Sequence, residues 1–210
     1  MNHAYTWSCV AENAAFPPRD GAGALSFDGR MWLIGGWHPR HPYFPSICAN
    51  DIWSSANGAA WILEKPNTFG HAGFEPALDW EGRHTAGYAV HDGRMWIVGG
   101  DANQGHYQND VWSSDNGRTW ECVTSSVPWA PRALHYTIAH DGYVWVIGGQ
   151  TIPQFGPERQ FGPDREIFYN DIWQTKKGDA WECVASQLPL PQRGMIGGSA
   201  VFAGRMWILG

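Results

Sequence analysis

Short apolar runs recur along this chain, and each is bounded by a turn dipeptide. Asp28-Gly29, Asp92-Gly93 and Asp141-Gly142 stand between such runs, as does Ala203-Gly204. Asp-Gly between apolar runs marks a two-residue hairpin, because a type I′ turn needs positive φ at both central residues. A second set of turns, Asn57-Gly58, Asn116-Gly117 and Lys177-Gly178, follows further along. The alternation predicts antiparallel strands in series and essentially no helix.

The runs are also copies of one another: DGRMWLIGG at 28–36, DGRMWIVGG at 92–100, DGYVWVIGG at 141–149 and AGRMWILG at 203–210. Self-similarity at a fixed period identifies an array of modules. Each module begins at an arginine (Arg19, Arg83, Arg132, Arg193), passes through strand a, the Asp-Gly turn and strand b, and reaches Asn-Asp-x-Trp at the start of strand c. Strand b is apolar on both faces, which implies a sheet buried on both sides. Strand d carries Trp61, Trp120 and Trp181, with Trp7 as an earlier, isolated copy. Four antiparallel strands per unit of about 50 residues is the plan of a β-propeller blade.

The ordered set of motifs resembles the kelch-repeat β-propellers, including the central domain of galactose oxidase. It comprises Pro-Arg at 18–19 and 131–132, Gly-Gly at 35–36, 99–100 and 148–149, and Asn-Asp-x-Trp at 50–53, 109–112 and 170–173. The resemblance implies an all-β propeller with about three and a half blades. The expected parts are an orphan outer strand (1–10), blades at 19–64, 83–123 and 132–184, and two strands of a further blade at 193–210. The expectation is a fragment of a larger ring, the alternative being an open arc with unpaired edges. Ser113-x-Asp115-x-Gly117-x-Thr119-Trp120 also resembles the Asp box of sialidases, in degenerate form, where it is a structural turn.

Charged residues make up 16% of the chain and the formal net charge is −6, so the basic face that nucleic acid requires is missing. No apolar run reaches the roughly 20 residues of a membrane helix. The first residues resemble no signal peptide, so a cytoplasmic location follows if Met1 is the true start. Cys9, Cys122 and Cys183 share one repeat position, Trp-x-Cys-Val. They are expected to be reduced, buried and mutually distant, while Cys48 has no assigned place.

Strand order puts the short a–b and c–d turns on one face and the variable b–c and d–a loops on the other. Variable loops on a rigid scaffold are where binding resides. The four arginines start the innermost strands on the long-loop face. They either converge as carboxylate-recognising guanidinium groups or brace their own blades. Of the three tryptophans outside the framework, Trp80 and Trp129 recur in position with Phe16 and Leu190 and are expected to pack, whereas Trp37 is free to stack on a ligand. His84 and His135 lie in strand a near the channel, either in reach of a ligand or as core histidines.

His38-x-x-His41 has metal-like spacing, but its prolines and lack of a third ligand argue for a solvated loop. Glu158, Asp164, Arg165 and Glu166 read as a polar insertion. No Ser-His-Asp order, nucleophile elbow or phosphate loop is present, and no catalytic residue, cofactor or metal is expected. The functional expectation is a scaffold binding a protein or peptide partner on the long-loop face. The alternative is a carbohydrate-active or carbohydrate-binding propeller of the sialidase, sialic-acid epimerase or galactose-oxidase kind.

Overall fold

The computed structural model describes residues 5–38, 48–102, 105–151, 166–192 and 197–209. Its first sheet holds β1 (Gly23–Phe27), β2 (Arg30–Trp37), β3 (Cys48–Ser55) and β4 (Ile62–Lys65), hydrogen-bonded in chain order. The second holds β5 (Gly87–His91), β6 (Arg94–Ala102), β7 (His106–Ser114) and β8 (Glu121–Thr124). The third holds β9 (Tyr136–His140), β10 (Tyr143–Thr151), β11 (Ile167–Thr175) and β12 (Glu182–Ala185). A hairpin of β13 (Gly198–Phe202) and β14 (Arg205–Leu209) follows. All pairings are antiparallel, and among the described residues there is no helix.

Strands β1, β5, β9 and β13 contact one another in series, so the first strand of every sheet is innermost and the fourth outermost. That is the radial arrangement of a partial β-propeller. The expected turns form as the dipeptides require: Asp28, Asp92, Asp141 and Ala203 all have φ between 47° and 51°, each followed by a glycine at positive φ. The Gly-Gly pairs mark a register shift between strands two and three of each full sheet, at Ile34/Gly36, Val98/Gly100 and Ile147/Gly149. Gly35 and Gly36 adopt φ of 58° and 111° there. A side chain on Gly35 would meet the Ala49 and Arg83 carbonyls at 3.0 Å, so the bulge admits only glycine.

The core lies between sheets. Trp32, Ile34, Ile52 and Trp80 of the first unit close on Met95, Ile97, Trp112 and Trp120 of the second. Trp96, Val98 and Val111 meet Trp129, Val144 and Val146 in the same way one blade on. The tryptophans also end strands. Trp32, Trp96, Trp145 and Trp207 donate to the carbonyls of Phe27, His91, His140 and Phe202, clasping the hairpin turns. Trp61, Trp120 and Trp181 donate to Gly58, Gly117 and Gly178 in the second turns. In those turns a hydroxyl of Ser55, Ser114 or Thr175 accepts the glycine N–H at 2.8–2.9 Å. The Asp-box look-alike is therefore one of three equivalent structural turns.

Two expectations are corrected. Residues 5–10 form no strand, and Trp7 is 93% exposed: a fourth strand forms only against a third, and among the described residues no third strand pairs with it. Cys9, Cys122 and Cys183 are exposed, and Cys48 is the buried one. Cys122 and Cys183 sit opposite Trp112 and Trp173 on the outermost strands, which have no further neighbour to cover them. None of the four forms a disulfide. A thiol reagent should accordingly titrate Cys9, Cys122 and Cys183 in the native protein and Cys48 only after denaturation. Uniform slow reaction of all four would contradict the placement.

Candidate functional site at the long-loop face

Three arginines anchor this face, and all three are held in one way. Arg19, Arg83 and Arg132 each form a two-pronged pair with the aspartate of Asn-Asp-x-Trp in their own blade, Asp51, Asp110 and Asp171, at 2.5–3.0 Å. Each also donates to the first glycine carbonyl of the Gly-Gly pair, Gly35, Gly99 or Gly148. Nε donates to the carbonyl two residues earlier, in Pro17, Glu81 and Ala130. Four of the five guanidinium N–H donors are spent within the protein. The same aspartates accept from Trp53, Trp112 and Trp173. The neighbouring asparagines reach the loop carbonyls of Trp80, Val127 and Leu188.

The electrostatics follow. Burial alone would lower Arg83, but the charge and hydrogen bonds of Asp110 hold it above its ordinary value. Burial alone would raise Asp171, but hydrogen bonds from Arg132 and Trp173, with the Arg132 charge, hold it below. The guanidinium groups point at strands two and three of their own sheets and not into a shared opening. Arg193 lies outside the described residues, as do His41 and most of the polar insertion.

Of the tryptophans outside the framework, Trp80 is fully buried and Trp129 is 2% exposed. They pack edge-on against Trp120 and Trp181. Phe16 does the same against Trp61, while Leu190 is left 47% exposed.

His135 is a core histidine. Its Nδ1 lies 2.9 Å from Thr137 Oγ1, and burial, then the nearby Arg132 charge, depress its pKa to about 3. The unfolded chain takes up this proton near pH 6.5 and the folded chain refuses it until about pH 3. Stability is thus fully present above pH 6.5 and falls as pH drops between those values, by up to ~1.4 kcal/mol per pH unit from this group. His135→Gln should flatten that part of a urea-midpoint against pH profile; an unchanged slope would show that His135 titrates freely.

A different set of residues lies at the seam of the first two blades, with Trp37 and His84 half-buried and Asp101 buried. At the long-loop end of each sheet, the residue after the arginine bridges the residue after Gly-Gly: Asp20 with Trp37, His84 with Asp101, Ala133 with Gln150. The arginines and glycines around them repeat, yet these six positions differ in every copy. Trp37 stacks on His84 of the next blade, with ring centroids 6.3 Å apart and planes at 29°. Its Nε1–H has no hydrogen-bond acceptor among the described residues. His84 Nε2 lies 3.4 Å from Asp101 Oδ2. Asp101 Oδ1 accepts the N–H groups of Gly105 and His106. The His106 side chain reaches Glu81 at 3.2 Å, and Gln108 donates to the same carboxylate at 2.7 Å.

The backbone beside this seam is held in the left-handed region at Thr85 (φ 51°), as it is at Leu134 (φ 55°), where the first blade has Gly21. Thr85 N–H donates to Gly21 O, and Leu134 N–H to Thr85 O, linking successive blades near the axis. A β-branched residue there costs on the order of 1–3 kcal/mol, and such strain gathers at functional sites. The sequence reading placed Trp37 and His84 here and missed Asp101, Glu81, His106 and Gln108. The available signal was the loss of repeat identity just after Gly-Gly.

Fold and site together define a partial β-propeller with a polar, aromatic seam between its first two blades. No family model matches the chain, and no curated protein does. Among solved structures it is similar to YjhT at 16% identity, with a TM-score of 0.64 over 92% of this chain and 60% of that one. The chain thus spans about 60% of the length of that protein, and a likeness at this identity speaks to the fold alone.

Proposed function

We propose that this chain is a kelch-type propeller scaffold that binds a protein or peptide partner on its long-loop face, centred on the seam between the first two blades. One observation carries the reading: on that face, beside repeated braces, the paired positions Asp20/Trp37, His84/Asp101 and Ala133/Gln150 change chemistry from blade to blade. Of these, Asp20 is exposed and Trp37 and His84 are half-buried, so they stand within reach of a partner. The kelch assignment rests on the recurring arginine, Gly-Gly and Asn-Asp-x-Trp, whose joint role is the brace described above.

The test is selection of a displayed peptide library against the purified protein, with Trp37→Ala as the counter-selection. Peptides that bind the parent and lose binding to Trp37→Ala support the reading, and failure to select any peptide removes it. A carbohydrate ligand is the second reading. It is favoured by the Trp37 ring beside carboxylate and amide groups, a combination suited to stacking on a sugar and bonding its hydroxyls; a glycan array with the same variant decides it.

A further inference from the structure

We propose that Lys65 is a nucleophilic amine that forms an imine with a small carbonyl compound, an aldehyde or ketone, entering a cavity at the outer edge of the seam between the first two blades. The cavity measures about 370 Å³, within the range of small-molecule sites. Lys65 and its carboxylate partner Asp79 both line it, with Thr68, Leu78, Arg118 and Trp120. One wall comes from the loop 66–82, which is longer than its counterparts 125–131 and 186–192. Trp37, His84 and Asp101 do not line it, so it is a second site, apart from the peptide-binding seam face.

The repeat does not require this ion pair. Lys65 ends the fourth strand opposite Ile52, and the same place holds Thr124 opposite Val111 and Ala185 opposite Ile172. Asp79 stands just before Trp80, where the other blades have Pro128 and Pro189. Two charges thus lie beneath a loop where the scaffold elsewhere folds without them. A buried pair adds little stability over an apolar one, and a desolvated amine at a cavity wall is a candidate for chemistry.

The Lys65 side chain is 9% exposed, and its Nζ lies 2.7 Å from Asp79 Oδ2. Nζ also donates to the Asn50 carbonyl at 3.1 Å. Thr68 Oγ1 and Asn50 Nδ2 donate to the same Asp79 oxygen and hold the carboxylate in place. Burial lowers the Lys65 pKa against the opposing pull of Asp79 and Asp51; Glu75 and Arg118 are the other charged groups on the cavity wall. The amine therefore sheds its proton at a lower pH than an exposed lysine does, and the neutral amine is the nucleophile. That proton passes to Asp79, and the nitrogen lone pair attacks the carbonyl carbon, forming a C–N bond as the C–O π bond breaks. The nitrogen gives one proton to the new alkoxide and Asp79 returns the other. The oxygen then leaves as water and a protonated imine remains.

The chain has three lysines, and the exposed Lys176 and Lys177 are the internal standard for Lys65. The native protein is incubated with glycolaldehyde and cyanoborohydride, which reduces an imine to a stable secondary amine, and the adducts are mapped by peptide mass spectrometry. At about pH 7 Lys65 should carry several-fold more adduct than Lys176 or Lys177. The preference should shrink by about pH 10, where ordinary lysines lose their protons. In concentrated urea, where the cavity is gone, the three should react alike. Leu78→Trp, at a cavity-wall residue that is 70% exposed, should block entry and lower the Lys65 adduct while leaving Lys176 and Lys177 unchanged.

Lys65 that reacts no faster than the exposed lysines at pH 7 overturns the proposal, because its amine is then sealed within a structural pair. So does a native preference for Lys65 that persists in urea, or Lys65 labelling that Leu78→Trp leaves unchanged.

Discussion

Arg83→Ala should lower the stability of the protein by about 3–5 kcal/mol, the range for breaking a buried ion pair from one side. Arg83 is wholly buried. Its removal strands the Asp110 carboxylate, which is 14% exposed, and leaves the Gly99 and Glu81 carbonyls without their donors. The loss should appear as a lower urea midpoint with an unchanged slope. Because the two side chains act as one unit, Arg83→Ala with Asp110→Ala should cost less than the sum of the single changes. Full stability in Arg83→Ala, with a loss of ligand affinity instead, would return the arginines to a ligand-facing role.

Trp80→Ala should have a comparable effect, about 3–5 kcal/mol for a fully buried large aromatic. The indole fills the seam between the first two blades, 6.0 Å from Trp120. Lys65 Nζ sits 5.6 Å from its ring centre. Lys65 is itself buried, and burial lowers its pKa despite the Asp79 partner, so the substitution removes the ring that lies against this charge as well as leaving a cavity. The equivalent position in the third blade is Leu190, 47% exposed, and Leu190→Ala should cost under ~1 kcal/mol, as surface substitutions do. Equal costs at the two positions would show that the seams are not filled as described.

These two expectations illustrate where sequence reading succeeds on a repeat. Asp-Gly turns at three places, with Ala203-Gly204 at a fourth, and Asn-Asp-x-Trp at three specify strand direction, order and the radial layout, because each motif acts within a few residues of itself. A turn needs its own φ angles and an indole reaches a carbonyl five residues away. The N-terminal segment escaped that logic. Tyr5 to Val10 carries the letters of an outer strand, but a strand is made by its neighbour, and none among the described residues pairs with it. The cysteines failed for a related reason, since Trp-x-Cys-Val says which residues alternate and not whether anything covers the outermost strand.

The candidate site divides in the same way. Trp37 and His84 were visible as residues that the framework did not need, and their place on the long-loop face followed from strand order. The role of the arginines did not. Arg19, Arg83 and Arg132 find their aspartates 32, 27 and 39 residues away, and only folding decides whether a guanidinium turns into its blade or out to the channel. Asp101 and Glu81 likewise became a pair through the His106 bridge.

The sequence by itself determined the blade: its four strands, its turns, the Gly-Gly bulge and the indoles that close it, all set by local backbone preferences repeated along the chain. The tertiary structure alone decided which charges are spent. Long-range packing turned Arg19, Arg83 and Arg132 inward as braces, each paired with the aspartate of its own blade's third strand.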